Sequence, residues 1–387
     1  MSTLLKVIPF LFLIAVMFVY PQEVLVSASN GIILWANYVL PALLPFFIIS
    51  DLLMKQGFVH FLGILLEPLM RPLFRLPGKA SFIIAMTHTS GIPIGAILTC
   101  KMRQAGEITK YEGERLLAFT SNPSPGFMFG AVASGMLSNP ALGIIIAGSV
   151  YTANIIVGLI FRFYGPPQPF QNKYSFSLSQ AWKEMESVQK KNKKPFGDLL
   201  AEAIRESIST ILLVGGFIVL FAVISHMLNI LPIVTKLTEG ISLLTGGKLS
   251  PAAGNAFIQG FLETTLGCKA AVNNFSSLHL QIGAIAFILG WGGLSVFAQV
   301  ASFTAATDLR FFPFVLGRIL HSFLALIISQ IYLKLTVLPT MLPFTLSGGS
   351  PLWLYSLQWS TVYFGFLLLF MICCALLCLL VFSSDKR

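Results

Sequence analysis

Long apolar stretches with hardly a charge in them restrict this chain's fold more than any other feature. They suggest eight spans, at about 4–20, 31–54, 114–138, 141–163, 208–230, 280–306, 312–334 and 357–381. Stretches of this length cross a bilayer as helices, because a backbone in lipid must satisfy its own hydrogen bonds. Charged residues make up 10% of the chain, against roughly 25% in a soluble domain. Soluble enzymes, disordered chains and fibrous proteins fit poorly. An all-α polytopic membrane protein is the expected class.

The net charge of +10 needs no nucleic acid to explain it, since Lys and Arg collect in cytoplasmic loops. Of the five cysteines, Cys100, Cys268, Cys373, Cys374 and Cys378, none forms a CxxC pair, and all read as small packing residues. The first span reads as an uncleaved anchor, with a cleaved signal peptide as the alternative. Segment 57–70, with Glu67-Pro68, reads as an interfacial or half-buried helix.

Two apolar segments are interrupted near the middle: 80–104 at Thr89-Ser90-Gly91, with Pro93 after it, and 251–278 at Thr264-Thr265-Leu266-Gly267. Each arm, at about 1.5 Å per residue, covers only half the hydrocarbon thickness. Both are therefore expected as re-entrant hairpins. Placing the Lys-rich loop 165–200 inside puts both termini in the cytoplasm and 21 of the 25 Lys and Arg inside or toward it. The Lys-rich run 183–194 then reads as a solvated cytoplasmic loop.

The hairpins head two similar units. Leu117-Ala118-Phe119 matches Ile285-Ala286-Phe287 at an offset of 168, which also pairs Phe129 with Phe297 and Ser134 with Ser302. At that offset Asn122-Pro123-Ser124-Pro125-Gly126 falls on Gly290-Trp291-Gly292-Gly293-Leu294. Each unit reads hairpin, broken span, intact span, and the two have opposite orientation, an inverted repeat. The expected organisation is 1–79, N-terminal membrane helices; 80–164, first unit; 165–207, cytoplasmic loop; 208–250, connecting span; 251–334, second unit; and 335–387, C-terminal span.

Breaks at mid-membrane free N–H and C=O groups that must line a protein-walled or wet cavity. They put His88, Thr89, Ser90, Gly91, Asn122, Ser124, Glu263, Thr264, Thr265 and Gly292 forward as substrate-binding residues. Glu263 stands out, because a carboxylate at that depth is costly. It could hold a substrate or a coupling Na⁺ or H⁺, or serve only as a structural cap or a buried partner to Lys269. Arg318 and His321, three apart on one helix face, could attract an anion, although Arg318 lies close enough to the inner surface to snorkel. Thr109 followed by Glu112 predicts a capping box where the first broken span begins. No metal-ligand spacing and no enzyme signature is present: no HExxH, GxSxG or P-loop. Neither an enzyme nor a bound cofactor is expected.

The stretches Ser90-Gly91-Ile92-Pro93-Ile94-Gly95-Ala96, Gly106-Glu107-Ile108-Thr109 and Glu114-Arg115-Leu116-Leu117-Ala118-Phe119-Thr120-Ser121-Asn122-Pro123-Ser124-Pro125 resemble the YlbJ family of sporulation integral membrane proteins, which carries a nucleoside-recognition "gate" domain. The resemblance implies a multi-pass protein of the outer forespore membrane that moves dipicolinic acid into the forespore. It also implies a core similar to the concentrative nucleoside transporters, where a hairpin glutamate binds ribose and Glu263 sits in the similar place. Thr87-His88-Thr89-Ser90 departs from that pattern by lacking a Gln-Thr-Glu run. The expected function is thus a permease for a small organic anion, most simply dipicolinate, working by alternating access. A nucleoside or nucleobase transporter, or a non-transporting sporulation assembly protein, are the alternatives. The lipid bilayer and a small molecule are the expected partners, with a homo-oligomer also open.

Overall fold

The computed structural model describes residues 3–166, 177–191, 194–231, 233–244, 246–247 and 250–335. The expected span 357–381 and Cys373, Cys374 and Cys378 lie outside them. Every regular element among the described residues is helical. The N-terminal part comprises α1 (Thr3–Val19), α2 (Pro21–Leu34), a π-helical turn (Trp35–Val39), α3 (Leu40–Lys55) and α4 (Phe58–Phe74). Then come α5 (Ala80–Ser90), α6 (Ile94–Gln104), α7 (Lys110–Phe119), a π-helix (Gly126–Met136) and α8 (Leu142–Phe161). The middle holds α9 (Leu178–Lys191), α10 (Phe196–Ile230) and α11 (Ile233–Leu244). The last described part holds α12 (Pro251–Leu262), α13 (Thr264–Asn274), α14 (Leu278–Trp291), α15 (Gly293–Thr304) and α16 (Phe312–Leu335).

Four stretches are long and apolar enough to cross a bilayer: Leu142–Phe161, Phe196–Ile230, Leu278–Thr304 and Phe312–Leu335. Two further stretches qualify only as bent pairs: Phe10–Val19 with Pro21–Asn37, at 107°, and Phe47–Lys55 with Phe58–Phe74, at 82°. The expected span 31–54 is helical throughout, with a π-helical turn at Trp35–Val39, and the bends lie on either side of it. Pro21 starts a new helix directly after α1, and Gly57, at φ 77°, turns the chain between α3 and α4.

The loop expected at 165–207 is also more ordered than its charge suggests. α9 is amphipathic and lies on α4, with Trp182 edge-on to Phe61 at 6.4 Å and Val188 against Gly57. Its lysines 183, 190 and 191 stay exposed on the other face. α10 begins at Phe196, twelve residues before the span expected from hydropathy.

The interruptions, in contrast, fall at or next to the places expected. In the second hairpin Thr264-Thr265-Leu266-Gly267 is the first turn of α13, and the break is one residue earlier, at Glu263, whose side chain caps that turn. α5 and α6 part at Gly91–Pro93, α12 and α13 at Glu263, α7 and the π-helix at 120–125, and α14 and α15 at Gly292. The capping box forms as expected: Thr109 Oγ1 accepts from Glu112 N, and Thr109 N donates to Glu112 Oε2 at 2.9 Å. One apolar core joins α8, α12, α13, α14 and α16, and a second joins α3–α8 with α10.

Candidate functional site

Each hairpin break is packed on the break of the span that follows it. In the first unit Gly91, at φ 82°, lies so close to Ser124 that an added Cβ would stand 2.6 Å from Ser124 N. Gly95, the second residue of α6, likewise faces the Thr120 carbonyl. Tyr151 on α8 fastens the pair, its hydroxyl 3.0 Å from the His88 carbonyl and 3.3 Å from that of Pro123. In the second unit Thr264 Oγ1 donates to the Gly292 carbonyl at 2.6 Å. Gly293 there meets the backbone of Leu262, Glu263 and Thr264.

The expected site residues take distinct roles within these joints. His88 is buried; its Nδ1 lies 2.7 Å from the Ile84 carbonyl, so Nε2 is the nitrogen facing Asn122 Nδ2 at 3.5 Å. Ser90 and Asn122 are buried, and Ser90 Oγ and Asn122 Oδ1 have no partner. Ser124 Oγ accepts from Phe127 N at 3.2 Å and so starts the π-helix. Thr89 instead turns back on the Ala85 and Met86 carbonyls of its own helix. Glu263 caps α13, its Oε2 accepting from Leu266 N at 2.8 Å. Thr265 beside it is half-buried. Lys269 is exposed and forms no ion pair with Glu263, which corrects the structural pairing considered for them.

Arg318 joins the two units, and its placement overturns the expectation of a snorkelling side chain. It is fully buried, at 0% exposure. Its Nη1 donates to the Ser121 carbonyl and, at 3.2 Å, to that of Gly290, while Nη2 lies 3.4 Å from the Ala118 carbonyl. Ala118 and Ser121 stand at the broken end of α7, and Gly290 at that of α14. A helix C-terminus carries roughly half a negative charge, so one guanidinium answers two interrupted helices. Glycines make the approach possible: Gly317 of α16 abuts the Ala118 carbonyl, and Gly290 abuts Ser322 of α16. His321 is equally buried, its Nε2 2.8 Å from the Val150 carbonyl and its Nδ1 unpartnered.

Three contributors escape a reading of the sequence. Tyr151 and Asn154 lie three apart on α8, and Asn154 is buried with neither side-chain polar atom partnered. Ser121 adds another unpartnered hydroxyl. An Asn inside an apolar span was the visible signal. Among the described residues no three His, Cys, Asp or Glu side chains converge as a metal site requires.

A family model described as "Gate: Nucleoside recognition" matches residues 37–176, the stretch that contains the first hairpin and its broken span. Sporulation integral membrane protein YlbJ of Bacillus subtilis (strain 168) is 39% identical over 343 residues, covering 86% of this chain and 83% of that protein. An uncharacterized protein of Alkalihalophilus pseudofirmus is 32% identical over 107 residues, covering 26% of this chain and 23% of the other. No solved structure matches. Identity of that extent, with the apolar helices, makes this an integral membrane protein. The chain belongs to the family of sporulation integral membrane protein YlbJ.

Proposed function

We propose that this protein is a secondary transporter or permease for a small organic anion, dipicolinate above all, serving sporulation from the outer forespore membrane. The two units act as an inverted repeat of hairpin, broken span and intact span within about eight spans, similar to the core of concentrative nucleoside transporters. Both termini face the cytoplasm, the units exchange access to the joints, and the chain works alone or as a homo-oligomer. Transport, not catalysis, is the proposed activity, with no cofactor beyond a coupling ion.

The observation that carries this reading is the burial of Arg318 against the ends of both broken spans. Eight half-helices end at the breaks, four by C-termini and four by N-termini, so their partial charges of about half a unit cancel. Arg318 and Glu263 then cancel each other only while Glu263 is ionised. Loading Glu263 with a proton or Na⁺ leaves about one net positive charge among unpartnered groups of Ser90, Ser121 and Asn122. An anion therefore binds best with its coupling cation, and a flat dicarboxylate suits the Ser90 and Ser121 hydroxyl donors and the free backbone N–H groups at a break.

The match described as nucleoside recognition favours a second reading, a nucleoside or nucleobase carrier on the same core. A third is a non-transporting assembly protein whose pocket only binds a ligand. Proteoliposomes given labelled dipicolinate or uridine, with and without a Na⁺ or proton gradient, separate the three. Gradient-dependent dipicolinate uptake is the expected result; uridine uptake alone selects the second reading, and uptake of neither leaves the third. For the orientation, a cysteine placed at residue 185 should be labelled from the cytoplasmic side, and labelling from outside alone would reverse it.

A further inference from the structure

Outside these joints, three arginines gather around the C-terminal ends of α4 and α8, one of them on α7. Arg115 of α7 is 1% exposed. Its Nε donates to the Tyr164 carbonyl at 2.8 Å and its Nη1 to the Arg75 carbonyl at 2.7 Å. Its Nη2 is buried without a partner. Arg75, which ends α4 at φ 52°, and Arg162, which follows α8, both hold their guanidinium carbons over the Phe163 ring, at 5.5 and 5.2 Å. The Nε atoms of both are likewise buried without a partner. Three guanidiniums thus each keep one donor unused around residues 162–164.

The nearby carboxylates are all engaged elsewhere. Glu67 and Glu112 take Arg71, each at 2.7 Å, and Glu112 also closes the capping box with Thr109. Glu114 takes Arg310 and the Tyr164 hydroxyl. Among the described residues, no carboxylate pairs with Arg75, Arg115 or Arg162. Glu67 and Glu112 share the single Arg71 and so leave one negative charge over. The ends of α4 and α8 return about one more through their carbonyls, so roughly one positive charge stays unanswered. Buried guanidinium charge without a partner is costly, and unused fork donors suit a tetrahedral oxyanion. Beside the cluster, Phe163 is 69% and Ile160 45% exposed, which gives an acyl chain an apolar wall.

We propose that Arg75, Arg115 and Arg162 form a phosphate-binding site, distinct from the transport joints. Its chemistry fits a phosphodiester headgroup of an anionic lipid at the membrane surface, and it also fits free phosphate.

The test uses the full chain purified in neutral detergent. Its thermal unfolding is followed as phosphatidylglycerol, phosphatidylcholine or inorganic phosphate is added, for wild type, Arg75→Gln and Arg162→Gln. Both substituted residues are half-exposed, so these variants fold even if Arg115→Gln does not. Stabilisation of wild type by phosphatidylglycerol but not phosphatidylcholine, with apparent affinity weakened about tenfold or more in each variant, is expected. Equal stabilisation by inorganic phosphate at matched concentration, lost in the variants, keeps the site and makes free phosphate its ligand. No stabilisation by either, or the same stabilisation in wild type and variants, overturns the proposal. None of these outcomes depends on substrate uptake, so the site stands or falls apart from the transport reading.

Discussion

Thr264 Oγ1 donates to the Gly292 carbonyl across 2.6 Å and so ties the break of the second hairpin to the break of the span after it. Gly292 is the N-cap of α15, at φ 90°; its carbonyl accepts the first hydrogen bond of that helix and takes the Thr264 hydroxyl as a second donor. Thr264→Val keeps the shape and removes the donor. Loss of this one hydrogen bond costs about 0.5–1.5 kcal/mol. Uptake by this variant in proteoliposomes is expected to fall by about tenfold, with Thr264→Ser restoring most of it. Equal loss in both variants would mean that bulk, not the hydroxyl, matters.

Arg318→Met removes the donor shared by the Ala118, Ser121 and Gly290 carbonyls. Leaving several buried acceptors unmet is expected to cost at least about 3 kcal/mol and to lower the unfolding temperature in detergent markedly. Arg318→Lys restores charge without the planar fork and should recover only part of the loss. Wild-type melting of the Met variant would remove Arg318 from its joining role.

Glu263→Gln imitates a permanently neutralised carboxylate and can still accept from Leu266 N. Binding of dipicolinate should persist while its uptake ceases to respond to the ion gradient. Counterflow and gradient-driven uptake, measured side by side, distinguish this from simple inactivation. Retained gradient dependence would place coupling elsewhere. In a spore-forming host the same change should lower the dipicolinate content of spores.

Gly95→Ala drives a methyl group into the Thr120 carbonyl and the Thr87 hydroxyl. Neither can retreat without opening the joint, so the change is expected to cost about 1–3 kcal/mol or more. Gly216→Ala, in α10, meets nothing within 4 Å. Helix propensity alone then predicts up to about 1 kcal/mol of stabilisation. Opposite shifts in unfolding temperature for the two alanines are the check.

Glu107, in the loop before α7, lies 3.4 Å from His60 Nε2 and 3.4 Å from Lys79 Nζ. The hydrogen bond from His60 holds its carboxyl below the ordinary value of 4.5, with Lys79 adding to the effect and burial opposing it. A depressed carboxylate stabilises the fold above its unfolded value and loses that contribution as pH falls through the folded one. Glu107→Gln should therefore melt below wild type at pH 6–7 by an amount worth less than about 1 kcal/mol, since the pair is partly solvated. The gap should close as pH falls below 4.5. A gap that persists under acid would assign the effect to packing.

What the sequence makes legible here is chiefly local. Thr109 and Glu112 announce a helix start because a capping box is completed within four residues. Gly91, Asn122-Pro123, Glu263 and Gly292 mark interruptions because glycine, proline and polar groups act on their own backbone. Hydropathy by itself separated α10 from its charged first three turns, although helical hydrogen bonding continues through both. Long-range partners are another matter. Nothing near Arg318 in the chain reveals that carbonyls about 200 residues upstream will take its guanidinium. Its distance from the expected surface suggested snorkelling, and only the packing of α16 against α7 and α14 decides otherwise. Tyr151 and the Arg75–Arg115–Arg162 group escape the sequence for the same reason, whereas Asn154 stands out as an amide inside an apolar span. The tyrosine and each arginine are ordinary alone and acquire meaning from neighbours on other helices.

The close seating of α16 on both sides has a mechanical consequence. Gly317 admits the backbone of the first unit, Gly290 admits α16 into the second, and Arg318 holds carbonyls of each. With no side chain between backbones at these places, there is no soft layer to shear. Rotation of one unit against the other must turn about α16, as on an axle, or unseat it. The slack of the whole machine is thus set by two missing methyl groups and one guanidinium.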